Sequence, residues 1–194
     1  MPRRTVLFLA FVLAAAVATA VPAAGNPPFA GATLTNPAAP PDLALRDQHG
    51  RLVRLSALHG KAVLLTFLYT HCPDVCPLTA ANINTALGLL GAQSKGVVVL
   101  AVSVDPKGDT LSAVRVFVRS HHLRPQFHYL TGPAPALERV WRAYKVQAVR
   151  NGKDALVDHT LYTLLVDRKG IARVLFDSLA RPPAIAHDLR LVLK

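Results

Sequence analysis

Lys61-Ala-Val-Leu-Leu-Thr-Phe-Leu-Tyr-Thr-His-Cys-Pro-Asp-Val-Cys-Pro77 is the stretch on which the fold turns. Its first half, residues 61–69, is a near-continuous apolar run of strand length, the pattern of a strand covered on both faces. Its second half holds both cysteines of the chain, Cys72 and Cys76, with three residues between them. Residues 78–90 then place Ile83, Leu87 and Leu90 at helical spacing, and residues 97–104 read as a second buried strand. Strand, helix, strand implies a parallel pair with a right-handed crossover, and puts the cysteines at the end of its first strand.

Working outward, residues 44–55, with Asp47-Gln-His-Gly50 in the middle, alternate as a hairpin ahead of the main sheet. Asp109 is placed to cap a helix to about Ser120, in which Leu111, Val114 and Val118 follow the 3.6 period. Residues 127–130 read as a short strand, and residues 134–144 as a helix with Leu137, Val140, Trp141 and Tyr144 inward. After an irregular stretch containing Asn151-Gly152, residues 160–166 and 171–176 flank Asp167-Arg-Lys-Gly170, a hairpin signal, and Pro182-Pro183 precede a terminal helix to about Val192. The expected class is α/β: a mixed central sheet flanked by helices, in the element order of a thioredoxin-like fold with an N-terminal hairpin added.

Met1-Pro-Arg-Arg4 followed by an apolar run from Thr5 to Val21 reads as an export signal, and Ala18-Thr-Ala20 offers the small residues a signal peptidase needs. The run also reaches the lower edge of a membrane span, so residues 1–22 serve as signal peptide or membrane anchor. Residues 23–41 are rich in Pro, Ala, Asn and Gly, the composition of an extended linker. Residues 42–194 are of a size for one domain with its own core. The expected location is extracytoplasmic, in a periplasm or on the outer face of the cytoplasmic membrane. The formal charge of +11 favours acidic partners or an anionic membrane face. Nucleic acid is excluded as a partner because the cations are scattered, the chain reads as exported and no nucleic-acid-binding motif is present.

Two sulfurs this close at a strand end can chelate a soft metal, form a reversible disulfide, or do both. Each cysteine precedes a proline, which disfavours helical backbone at Cys72 and Cys76. Pro77 then suits the first helical position and makes Cys76 the N-cap, where free N–H groups and the helix dipole would hold a thiolate. A purely structural disulfide is a weak rival, since closing so short a ring gives only about 2 kcal/mol. The third ligand expected is His159, in Val157-Asp-His-Thr160 at the start of an apolar strand. If that strand runs antiparallel beside residues 61–69, its start lies next to the cysteines. His71, adjacent to Cys72, is at best a fourth ligand, and His121 and His122 are assigned to helix-end carbonyls. His49, His59, His128 and His187 read as solvated. Asp105 shares the sheet edge with the cysteines as a ligand-orienting or a turn residue, Asp109 reads mainly as a cap, and Asp74 as a charge-tuning or solvated residue. Two thiolates and one imidazole suit copper(I), with copper(II) and zinc compatible.

Tyr69-Thr-His-Cys-Pro-Asp-Val-Cys-Pro77, Ser103-Val-Asp-Pro106 with Asp109-Thr110, and Asp158-His159-Thr160 followed by Leu164-Leu-Val-Asp167 together resemble the Sco/SenC proteins. The resemblance implies a thioredoxin-like domain tethered on the outer side of a membrane, with copper held by Cys72, Cys76 and His159. It also implies service to the dinuclear copper centre of cytochrome c oxidase subunit II, by handing over copper, by reducing that centre's cysteines, or both. Other copper carriers or thiol reductants would be further partners. The stretch between Tyr144 and Asp158 is shorter than in many such proteins. The enzyme alternative is a thiol-disulfide oxidoreductase cycling Cys72 and Cys76. Against it, the place where such enzymes carry a proline reads Asp158-His159-Thr160. The peroxiredoxin pattern fits at neither cysteine. A copper or redox sensor is the third alternative.

Overall fold

The computed structural model describes Met1 and residues 29–150 and 157–194. The signal or anchor segment and Asn151-Gly152 lie outside the described residues. In chain order the elements are β1 (Ala32–Thr33), β2 (Ala44–Arg46), β3 (Leu52–Arg54), β4 (Ala62–Leu68), α1 (Val75–Leu90), β5 (Val97–Ser103), α2 (Leu111–Ser120) and β6 (Phe127–Leu130). They continue with α3 (Ala134–Ala143), β7 (Ala148–Arg150), β8 (Val157–His159), β9 (Thr163–Val166), β10 (Ala172–Phe176) and α4 (Pro182–Leu193). Six strands form one mixed sheet in the order β1-β10-β9-β4-β5-β6, and β2-β3 and β7-β8 are separate hairpins.

β4 is the axis of the sheet. It pairs in parallel with β5 from Ala62↔Val97 to Leu68↔Ser103, and antiparallel with β9 from Val63↔Val166 to Thr66↔Thr163. All seven of its residues are buried, which is why the sequence there runs apolar without alternation. Burying each Leu or Phe stabilises the fold by about 1.5–3 kcal/mol. Phe67 also carries an aromatic cluster, its ring 5.8 Å from that of Tyr144 and 5.5 Å from that of Tyr162. α1 buries Ile83, Ala86, Leu87 and Leu90 and packs beside α4. The segment Val75–Gly96 is apolar enough in length and composition to cross a membrane, and it turns these side chains to the core. The arrangement is the expected thioredoxin-like one, with the β2-β3 hairpin added ahead of it. That hairpin is fastened to β6, where Gln48 donates to the Phe127 carbonyl at 2.9 Å and accepts from the Tyr129 N–H at 2.8 Å.

Four local expectations are corrected. Helix α1 begins at Val75 with Asp74 as N-cap, so Cys76 and Pro77 lie inside its first turn. Pro77 is tolerated in that turn because the first four helical N–H groups have no intrahelical partner, so a proline among them forfeits no hydrogen bond. Helix α2 is capped by Thr110, whose hydroxyl accepts from the Ala113 N–H at 3.2 Å, and not by Asp109. His128 is paired rather than solvated, its Nδ1 3.2 Å from the buried carboxylate of Asp47. His121 lays its ring on Phe117, centroids 4.4 Å apart, instead of turning it to helix-end carbonyls.

The described part of the Pro/Ala-rich stretch, residues 29–41, runs along the body. β1 pairs with β10, the Ala38 carbonyl accepts from the Ala172 N–H, and both oxygens of the buried Asp188 accept from the N–H groups of Ala30 (2.7 Å) and Gly31 (2.9 Å). Gly31 lies so close to Val174 and Phe176 that any Cβ would collide with them.

Candidate metal centre

β4 and β5, parallel and in register, deliver two loops to the same end of the sheet: residues 69–74 after β4 and residues 104–110 after β5. A single buried carboxylate ties these loops together. Asp109 Oδ1 accepts from the N–H and the hydroxyl of Thr70, each at 2.8 Å, and its Oδ2 accepts from the hydroxyls of Ser103 (2.6 Å) and Tyr129 (3.2 Å). Burial pushes its pKa up against the lowering effect of those donors. Asp105 is likewise buried. Its carboxylate accepts from the Gly108 N–H at 3.0 Å, while its own N–H donates to Ser103 Oγ at 3.1 Å. Asp105 thus plays the turn role, and Gly108 is required because a Cβ there would collide with Asp105 Oδ2 and sit 3.1 Å from His71 Nδ1. His71, Asp105 and Asp109 bring one ligand atom each within 4.8 Å of one another. The oxygens of Asp109 are already engaged by four protein donors, so this trio is read as a strut under the cysteine loop.

The cysteines are both free thiols, and they differ. Cys72 is half-buried. Its sulfur accepts from the Cys76 N–H at 3.3 Å and meets the Tyr69 hydroxyl. Burial opposes its ionisation, but the N–H groups of Asp74 and Cys76 at the helix start outweigh burial and bring its pKa down. Cys76 is fully buried, and burial pushes its thiol far up, with the neighbouring Cys72 acting in the same direction. The helix start therefore stabilises a thiolate at Cys72, the reverse of the expectation that put it at Cys76. Tyr69, for which the sequence reading had no role, hydrogen-bonds Cys72, and burial raises its own pKa to about 12. Its place three residues before Cys72, at a strand end, was the available signal.

His159 meets the sulfurs by a different route from the one expected. The apolar strand begins at Thr163, not Thr160, and His159 belongs to the β7-β8 hairpin, where it pairs with Ala148. The antiparallel pairing of β9 with β4 still brings residues 160–162 back over the cysteine end, and His159 Nε2 lies 3.9 Å from Cys76 Sγ. Nδ1 is 3.0 Å from the Thr160 carbonyl. A carbonyl only accepts, so Nδ1 carries a proton, and in the neutral ring the Nε2 lone pair faces the sulfur. The ring also stands edge-on to Tyr69, centroids 5.8 Å apart. A metal bound at about 2.3 Å to a thiolate and about 2.0 Å to an imidazole nitrogen, with ligands about 120° apart, needs a sulfur–nitrogen separation of about 3.7 Å. The observed separation fits that requirement with little movement. A pocket of about 200 Å³ lined by Tyr69, Cys72, Pro73, Val157, His159 and Leu161 opens this group to solvent.

A family model described as SCO1/SenC matches residues 32–194. An SCO2-like protein of Rickettsia prowazekii is 30% identical over 131 residues, which cover 65% of this chain and 63% of that protein. The chain spans less than two thirds of the length of the first curated relatives it matches. Among solved structures, ScoI of Bradyrhizobium japonicum with copper bound superposes with a TM-score of 0.73 at 33% identity, covering 80% of this chain and all of that one. Apo Sco1 of Thermus thermophilus gives 0.73 at 34% identity, covering 85% of this chain and 97% of its own.

Proposed function

The chain belongs to the SCO1/SenC family, and on that premise we propose that it takes up copper through Cys72, Cys76 and His159 and hands it on during assembly of cytochrome c oxidase, at the dinuclear copper centre of subunit II. Copper is cargo here, not a resident cofactor. The observation that carries the reading is the 3.9 Å approach of His159 Nε2 to Cys76 Sγ, which joins residues 83 positions apart into one soft donor set. The copper in the Bradyrhizobium protein supports the choice of metal.

The chemistry follows from the difference between the two thiols. Cys72, half-exposed and disposed to ionise, is the first sulfur to meet an incoming ion. Cys76 must give up its proton before it ligates, whereas His159 in its neutral form closes the set without losing one, because Nδ1 holds the ring's proton. Three ligands leave one side open through the Tyr69–Leu161 pocket. A partner thiolate or imidazole entering there displaces one ligand at a time, so the ion is never free. The protein works outside the cytoplasm, held near a membrane by its N-terminal segment.

A second reading, thiol-disulfide exchange by Cys72 and Cys76, draws support from the same asymmetry, since an exposed attacking thiolate beside a buried resolving thiol suits that chemistry. The two separate on His159→Ala. With the reduced full-length protein loaded with copper(I), chaperone function predicts a loss of affinity on the order of a hundredfold and loss of nitrogen scattering in the X-ray absorption spectrum. Unchanged affinity together with strong disulfide reductase activity would transfer the assignment to the oxidoreductase.

A further inference from the structure

The end of the sheet opposite the cysteines carries its own surface, made of charge. Lys61 precedes β4, Lys95 precedes β5, and Arg168 and Lys169 form the turn after β9; strand register puts all three places at the same end. They are in contact: Lys61 Nζ donates to the Lys95 carbonyl at 2.9 Å and Arg168 Nε to the Gly60 carbonyl at 3.1 Å. Arg190 reaches the same end, donating to the Leu89 carbonyl at 2.6 Å where α1 finishes. These five side chains are exposed, and bonds to carbonyls leave their charge uncompensated. Asp167, the acidic residue of the turn between β9 and β10, is occupied by the N–H groups of Lys169 and Ile171 and by Arg173. At the cysteine end the described exposed charges are mixed: Asp74 and Asp177 stand beside Lys107, Lys145 and Arg181, and Asp105 and Asp109 are buried. Five exposed cations thus gather at the end of the sheet opposite the cysteines.

The chain enters at that basic end. Phe29 lines a groove of about 450 Å³ with Arg168, Lys169, Arg173 and the end of α4. Residues 22–28 are all that separate Phe29 from the apolar run ending at Val21, and seven residues reach at most about 25 Å. Whatever surface holds that run lies within this distance of the basic end.

We infer that the basic end is a docking surface for an anionic phospholipid membrane, on which the domain stands with its cysteines turned to the aqueous side. The five clustered cations set which end faces the surface, and the short connection supplies the proximity. The inference does not rest on which metal the cysteines bind.

The test is lysine footprinting of the full-length protein with an amine-acylating reagent, in vesicles of phosphatidylcholine alone and of phosphatidylcholine mixed with phosphatidylglycerol. Each cation near an anionic surface changes partitioning about fivefold. In the mixed vesicles, labelling of Lys61, Lys95 and Lys169 is expected to fall by that factor or more, with Lys107 and Lys145 unchanged. Salt at about 1 M, where the Debye length is about 3 Å, should erase the protection. Equal labelling in both kinds of vesicle would overturn the proposal, as would protection centred on Lys107. So would protection of Lys61, Lys95 and Lys169 by soluble polyglutamate but not by anionic vesicles, which would identify an acidic polypeptide as the partner. Copper(I) affinity measured on the same samples separates this outcome from the fate of the chaperone reading.

Discussion

The two ends of the central sheet are built from the same strands and hold themselves together in different ways. At the basic end the connections are short turns held mostly by local main-chain bonds, Gly60 N–H to the Arg168 carbonyl, Asp167 N–H to the Ile171 carbonyl and Lys61 N–H to the Leu58 carbonyl, with the Asp167 carboxylate bonding within its own turn. At the cysteine end the loops are longer, and buried carboxylates replace main-chain partners. A turn closed on itself tolerates changes of side chain. A loop that must present two sulfurs in a fixed place depends on a few polar groups which, once removed, leave others unpaired in the interior.

The largest test of that contrast is Asp109→Ala. It strips acceptors from Thr70, Ser103 and Tyr129 at once, so a loss of about 3 kcal/mol is expected. That is a fall of about 6–12 °C in Tm by calorimetry, with weakened copper(I) binding because the cysteine loop loses its strut. If Tm falls by less than about 2 °C, the buried carboxylate does not distinguish the two ends. Next is Gly108→Ala, whose methyl collides with Asp105 Oδ2 and crowds His71. About 1–3 kcal/mol of stability should go, again with a drop in metal affinity.

A third test uses pH and acts on the metal alone. The folded Cys76 thiol has its pKa raised by burial, so across the neutral range it is protonated in the free protein and must release a proton on binding. Apparent copper(I) affinity should rise about tenfold per pH unit from this thiol, and a competition titration at three pH values measures it. A slope of zero would contradict the burial of Cys76. Alkylation of the metal-free protein sharpens the same point, since Cys72 should be modified well before Cys76. The smallest effect belongs to the basic end, where Lys169→Gln should leave stability within about 0.5 kcal/mol of wild type and leave copper binding untouched.

The sequence carried the architecture because buried parallel strands need unbroken apolar residues and turns need Gly and Asp, requirements met within a few neighbouring positions. Residues 61–69 and Asp167-Arg-Lys-Gly170 were therefore legible as strand and hairpin turn. It also singled out the cysteine pair and His159, the first by spacing and the second by its place before an apolar strand.

Interactions between distant segments were what the sequence left open. Asp109 looked like a cap because capping is local, whereas its work is done on Thr70, 39 positions away. Cys76 looked like the thiolate because a helix start favours one, but burial is a property of the assembled core and reversed the order of the two sulfurs. Residue type and period determined which elements form and which atoms can ligate. Only tertiary packing decided which sulfur keeps its proton, which carboxylate braces the loop and where the charge collects, because desolvation and long-range pairing exist only once the chain has closed on itself.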